Sequence, residues 1–249
     1  YAVSVQYDVV YASGQVGASS GKPRARDLRM DVYRPLADGK PLIGRPVVML
    51  AFGGGLHRGS KGESRYEEDG ASDTPMGEYC RAFASAGYVC ASIEYRLVPE
   101  DPVPPRDVDM AKMLPKATLI EPGLTARINS VRGWMGLPPL DDASREQLFN
   151  TMITSVEDFS AAVGFMQRNA DKFGVDPRRV ALGGFSAGGF AEDITPRVHP
   201  DNRKLAEQAA RLMALTTAGI WLRNLPKGLK KKTSWPWPIF RPLLSFALI

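Results

Sequence analysis

The chain has 249 residues, 44% of them hydrophobic and 24% charged, which is ordinary for a globular protein and long enough to bury one sizeable core. Its 24 glycines and 20 prolines have no period, excluding collagen, and its two cysteines exclude a disulfide scaffold and a four-cysteine zinc site. The net charge of +5 is uneven, because residues 203–249 carry nine basic side chains against Glu207 alone, a local +8 that leaves −3 for the rest.

In chain order, residues 3–10 (VSVQYDVV) carry β-branched and aromatic residues in partial alternation and predict a strand. GQVGASSGKP follows as a turn. In RDLRMDVYRP, Leu28, Met30 and Val32 alternate with Arg29, Asp31 and Tyr33, predicting a half-buried strand that Pro35 ends. Two such strands in succession predict an antiparallel edge. The all-apolar run of residues 47–52 (VVMLAF) predicts a central parallel strand buried on both faces. A helix is expected from about Pro75 to Ala86, with Thr74 as its cap, and the strand YVCASIEY follows Gly87. Cys80 and Cys90 flank that junction; buried free thiols are the expectation, a disulfide the alternative.

Residues 97–143 are rich in Pro and Gly and predict a long loop or an insertion with short helices. Trp134, Met135 and Leu137 are candidate wall residues there. A long helix starts near Ser144 or Thr154 and runs to Ala170, with Val156, Phe159, Ala162, Val163, Phe165 and Met166 at helical spacing. Residues 173–177 form a turn before the buried strand RVALGG, and another helix is expected over about 202–217. The end, SWPWPIFRPLLSFALI, is apolar but broken by prolines. No apolar run reaches the ~20 residues of a bilayer-spanning helix.

Two constellations carry chemistry. Gly184-Phe185-Ser186-Ala187-Gly188 fits G-x-S-x-G directly after a buried strand, where a sharp turn holds a serine hydroxyl exposed. Phe52-Gly53-Gly54-Gly55-Leu56-His57 empties from the first buried strand. Glycines there let backbone N–H groups approach an oxyanion closely, and the Ala187 N–H is a further donor just past the serine. A phosphate loop is a poor alternative, because no Gly-Lys-Ser/Thr ending is present.

These stretches, with Tyr95-Arg96-Leu97 and the run Asp158 to Asp176, resemble the α/β-hydrolase carboxylesterase family, close to its hormone-sensitive-lipase-like and type-B esterase-like bacterial members, over roughly residues 26–190. The resemblance implies a three-layer α/β sandwich with a mostly parallel central sheet, its C-terminal strands atypical or missing. It implies Ser186 as nucleophile, Gly53, Gly54 and Ala187 as the oxyanion hole, small or aryl esters as substrates, and no cofactor. Phe52 stands where the family usually has a structural histidine, and His57 is expected to take a local hydrogen-bonding role. The implied organisation is a core over 1–190 with an insertion at 97–143, then an atypical basic, Trp/Pro-rich segment over 191–249.

The family's acid and base follow the serine in the order Asp/Glu, then His. After Ser186 the only histidine is His199, with Asp193 and Asp201 nearby, and no strand pattern to carry them. Three readings follow: a serine ester hydrolase, a catalytically inactive relative binding a small ligand or partner protein, and a truncated or frameshifted esterase. The basic tail with Trp221, Trp235 and Trp237 reads first as a solvated charge run, with anionic-membrane contact as the alternative. Nucleic acid is not an expected partner, since no helix-turn-helix, zinc-finger or RNP-like pattern is present. Missing sheet strands would leave an open edge, and self-association is the expectation that follows.

Overall fold

The first strand is longer than its β-branched stretch. It runs Ala2–Val16 (β1), turns through residues 17–23 and returns as Arg24–Ala37 (β2), pairing antiparallel along almost its whole length. The computed structural model describes residues 1–65, 67–68, 71–72, 74–104, 122–185, 187 and 244–245. The hairpin is irregular at Asp8, which adopts a left-handed φ of 55° where the register shifts between Gln6 and Val9. Its N–H donates to the buried Asp31 carboxylate at 2.9 Å, and Lys61 Nζ bridges both acids at 2.7 Å and 2.9 Å. Pro35 does not end β2. It pairs with Val3, and its carbonyl accepts from Leu42 N–H; proline removes only a donor. The expected alternation holds from Asp27 to Met30 and then fails: Asp31 and Tyr33 are as enclosed as Met30 and Val32.

The remaining strands are Lys40–Pro41 (β3), Arg45–Ala51 (β4), Glu67–Glu68 (β5), Ala71–Ser72 (β6), Val89–Ile93 (β7), Val175–Phe185 (β8) and Leu244–Ser245 (β9). β5 and β6 form a separate small hairpin. The main sheet has the order β1-β2-β7-β4-β8-β9, with β3 beside β2. The run expected to be a central parallel strand is one: β4 lies between β7 and β8, parallel to both. The sheet as a whole is mixed rather than mostly parallel, because every other pairing among the described residues is antiparallel. The expected antiparallel edge is the β1–β2 hairpin.

Four α-helices complete the described fold: Met76–Ser85 (α1), Pro122–Trp134 (α2), Asp142–Arg168 (α3) and Ala170–Phe173 (α4). Thr74 is not the cap of α1. Pro75 takes that position in extended backbone, one residue later than expected, and makes no side-chain bond. Asp141 caps α3 by accepting from Ser144 N–H at 2.8 Å, so the longer of the two expected starts holds. The predicted α3 face is buried, with Phe165 only partly covered. The expected turn at 173–177 is confined to Gly174 and leads directly into a break within β8. Gly174 turns at φ 69°, Val175 already pairs with Arg45, and the ladder resumes only at Val180 opposite Val47, leaving residues 176–179 outside the pairing.

Both faces of the sheet are covered. Cys90 of β7 stands opposite Tyr33 of β2, so both point toward α1, whose Arg81 lies over the Tyr33 ring. Cys80 and Cys90 are joined in a disulfide rather than free: α1 packs directly on β7 and brings their Cα atoms to 5.1 Å. On the other face Met30, Val32, Ala91 and Ile93 are fully buried.

Candidate active site

The candidate site begins where β4 and β8 end side by side. Their ladder closes with Leu50 opposite Gly183 and Ala51 opposite Gly184. Beyond Ala51 the chain enters the glycine loop, and two residues beyond Gly184 the sequence reaches Ser186. Ser186 lies outside the described residues, as do Gly188, Gly189, Asp193, His199, Asp201 and the expected 202–217 helix. Ala187 is half-buried against the core, and the ring of Phe185 packs on Tyr79 of α1.

The glycine loop is held tightly. Phe52 stacks on Tyr95 with ring centroids 4.5 Å apart, and the Tyr95 hydroxyl donates to the Phe52 carbonyl at 2.7 Å. Gly54 has φ 115°, and a Cβ there would lie 2.2 Å from the Arg58 carbonyl oxygen. Gly59, at φ 139°, passes so close under Phe52 that a Cβ would lie 1.9 Å from its ring. The Gly54 carbonyl accepts from His57 and Arg58 N–H at 3.0 Å and 3.3 Å, and Leu56 O accepts from Val98 N–H. Among the described residues nothing accepts from the N–H of Gly53 or Gly54.

His57 has the local hydrogen-bonding role expected of it. Its ring is buried, with Nδ1 2.7 Å from Gly55 O and Nε2 3.1 Å from Arg132 Nη1. A guanidinium only donates, so Nε2 is the acceptor and Nδ1–H donates to the carbonyl. Burial holds the imidazole below its ordinary value, against the Gly55 bond, and the Arg132 charge adds to the depression. Its one basic lone pair is already engaged.

The insertion meets this loop from the side. Val131 of α2 packs on Gly55, and Arg132, which also donates to Pro138 O at 2.7 Å, reaches His57. The guanidinium carbons of Arg58 and Arg127 lie 5.3 Å and 5.2 Å from the centroid of the Trp134 ring. Met135 and Leu137 are exposed. The start of the insertion touches the loop at one point, where Val98 N–H donates to Leu56 O at 2.8 Å. It is bound to the β1–β2 turn, where Gly17 and Ala18 N–H donate to Asp101 O and Ser19 bonds the Asp101 carboxylate.

No family model matches the sequence, and no curated protein matches it. Among solved structures the chain is similar to a thermophilic esterase from the planctomycete Thermogutta terrifontis, at 21% identity and TM-score 0.41, covering 76% of this chain and 42% of that one. The same enzyme phosphorylated by paraoxon aligns at 20% identity and TM-score 0.41, over 80% of this chain and 52% of the other. The chain spans about half the length of these structures.

Two residues without an assigned role in the sequence reading become visible. Tyr95 lies within the quoted Tyr-Arg-Leu stretch, and burial raises its phenol far above the ordinary value, so the hydroxyl remains a donor. Arg132 stands in an irregular Pro/Gly-rich stretch, and nothing in its surroundings marks it. Behind them, Arg96 is enclosed by Asp158, with Nη2–Oδ1 2.7 Å and backbone N–Oδ2 2.9 Å, and by Glu157 at 2.6 Å. No group of His, Cys, Asp and Glu among the described residues has the geometry to hold a metal, and no described helix is long and apolar enough to cross a membrane.

Proposed function

We propose that the chain is a serine-dependent carboxylic ester hydrolase acting on small or aryl esters, built as an α/β-hydrolase core over 1–190. The observation that carries this reading is the glycine loop: two N–H groups, of Gly53 and Gly54, with no acceptor among the described residues, just past the end of the strand adjacent and parallel to the one that enters G-x-S-x-G. Ser186 Oγ would attack the ester carbonyl while a base takes its proton. The negative charge on the former carbonyl oxygen would be met by the N–H groups of Gly53, Gly54 and Ala187. Collapse would expel the alcohol, reprotonated by that base, and water would release the acid from the acyl-serine.

A second reading, a catalytically inactive relative that binds a small ligand or a partner protein, is favoured by the engaged lone pair of His57. That engagement leaves His199 as the chain's remaining imidazole. The test is labelling with a fluorophosphonate probe alongside hydrolysis of p-nitrophenyl esters, in the native chain and in Ser186→Ala and His199→Ala variants. Labelling and turnover lost in Ser186→Ala support the hydrolase, and loss also in His199→Ala identifies the base. No labelling and no turnover select the inactive relative.

A further inference from the structure

We infer that Tyr95 is a positioning residue that sets the direction of the Gly53 N–H. This rests on the proposed role of Gly53 as an oxyanion donor. The Phe52 carbonyl and the Gly53 N–H belong to one peptide unit. That unit is planar and trans, since the chain contains no cis peptide among the described residues, so its C=O and N–H point in opposite directions. Fixing one end of the unit therefore fixes the other. The Tyr95 hydroxyl does so at 2.7 Å, from a ring with no solvent exposure.

Tyr95 itself has little freedom. Phe52 stacks on one side of it, and Phe159 of α3 contacts it with centroids 5.6 Å apart. The ring thus links the helical layer to the peptide at the mouth of β4. Donation to a carbonyl also polarises its peptide, which makes the N–H on the far side a stronger donor. Both effects act where charge develops in the transition state and not on ground-state binding, so they belong in kcat rather than KM.

The molecule contains its own matched control. Tyr11 is also buried, and its hydroxyl donates at 2.6 Å to the Glu94 carbonyl, on the peptide unit that joins Glu94 to Tyr95, leaving the bond from the Tyr95 hydroxyl to Phe52 O in place. Tyr11→Phe and Tyr95→Phe delete the same kind of bond. The experiment measures p-nitrophenyl ester kinetics and, in ¹⁵N-labelled chain, the Gly53 amide shift and exchange rate for the native protein and both variants. Tyr95→Phe is expected to lower kcat about tenfold, a fraction of the 10²–10³ that follows complete removal of an oxyanion donor. KM should stay within about twofold, and the Gly53 amide should move. Tyr11→Phe should leave kcat and the Gly53 amide unchanged. Equal kcat in Tyr95→Phe and native protein overturns the inference. If the native chain does not turn over at all, the hydrolase reading fails by itself, and the amide measurement still decides the positioning role: an unmoved Gly53 resonance in Tyr95→Phe overturns it.

Discussion

At the scale of single residues, His57 makes the stability of the fold depend on pH in a definite direction. Its folded imidazole is held below 6.5 by burial and by Arg132, so the unfolded chain binds the proton more readily. The stabilisation is complete above pH 6.5 and is lost as the pH falls toward the folded value. Chemical denaturation between pH 7.5 and 5.5 should show this loss, with a limiting slope from one group of about 1.4 kcal/mol per pH unit. His57→Gln should flatten that part of the profile. Gly59 gives a steric prediction. Alanine there combines a left-handed φ with overlap against Phe52, and should destabilise the fold by about 3 kcal/mol or more in urea titrations. An unchanged midpoint would contradict the close passage of the loop beneath that ring.

At the scale of elements, the Arg96–Asp158 pair joins the end of β7 to the middle of α3, and Arg96 Nη1 also donates to Gln15 O of β1 at 3.3 Å. Both side chains are buried, and burial pushes the Asp158 carboxyl up against the pull of Arg96. Removing one charge strands the other, so Asp158→Asn should cost about 3 kcal/mol, the low end for a broken buried pair because Glu157 still contacts the guanidinium. The elements most legible in the sequence were those whose pattern has one physical reading. Short apolar-rich runs with glycine at one end gave β4, β7 and β8, and the 3.6-residue period of α3 gave its buried face. The sequence misled where a local rule met a tertiary partner. Pro35 stays in β2 because its carbonyl, not its missing N–H, is what Leu42 needs. Tyr33 and Asp31 look solvent-facing by alternation, yet α1 and Lys61 cover them. The loop glycines were visible as a motif, but the hydroxyl that holds the Phe52 carbonyl comes from just past a strand end more than 40 residues later, and no pattern encodes that meeting.

At the scale of the whole molecule, the Cys80–Cys90 bond ties the helical layer over α1 to the central sheet across a separation of 10 residues. A loop of that size should contribute about 2–3 kcal/mol by restricting the unfolded chain. A Cys80→Ala/Cys90→Ala variant should therefore melt lower by several degrees in calorimetry, with its ester kinetics unchanged if the site is held by the loop and α2 as described. Sequence reading favoured free thiols because ten residues of spacing say nothing about whether two Cβ atoms face each other; only the packing of α1 on β7 does.

Both sulfurs are fully enclosed, so no external thiol can reach them while α1 lies on the sheet. Dithiothreitol can act only during moments when that layer lifts, and the rate of thiol release, followed with a chromogenic reagent, becomes a clock for the lifting. Under native conditions it should run slowly and saturate with reductant concentration. Low urea should quicken it in proportion to the surface that the lifting exposes. A slope smaller than that of global unfolding would show α1 departing as a unit of its own, and an equal slope would show that the layer and the sheet come apart together.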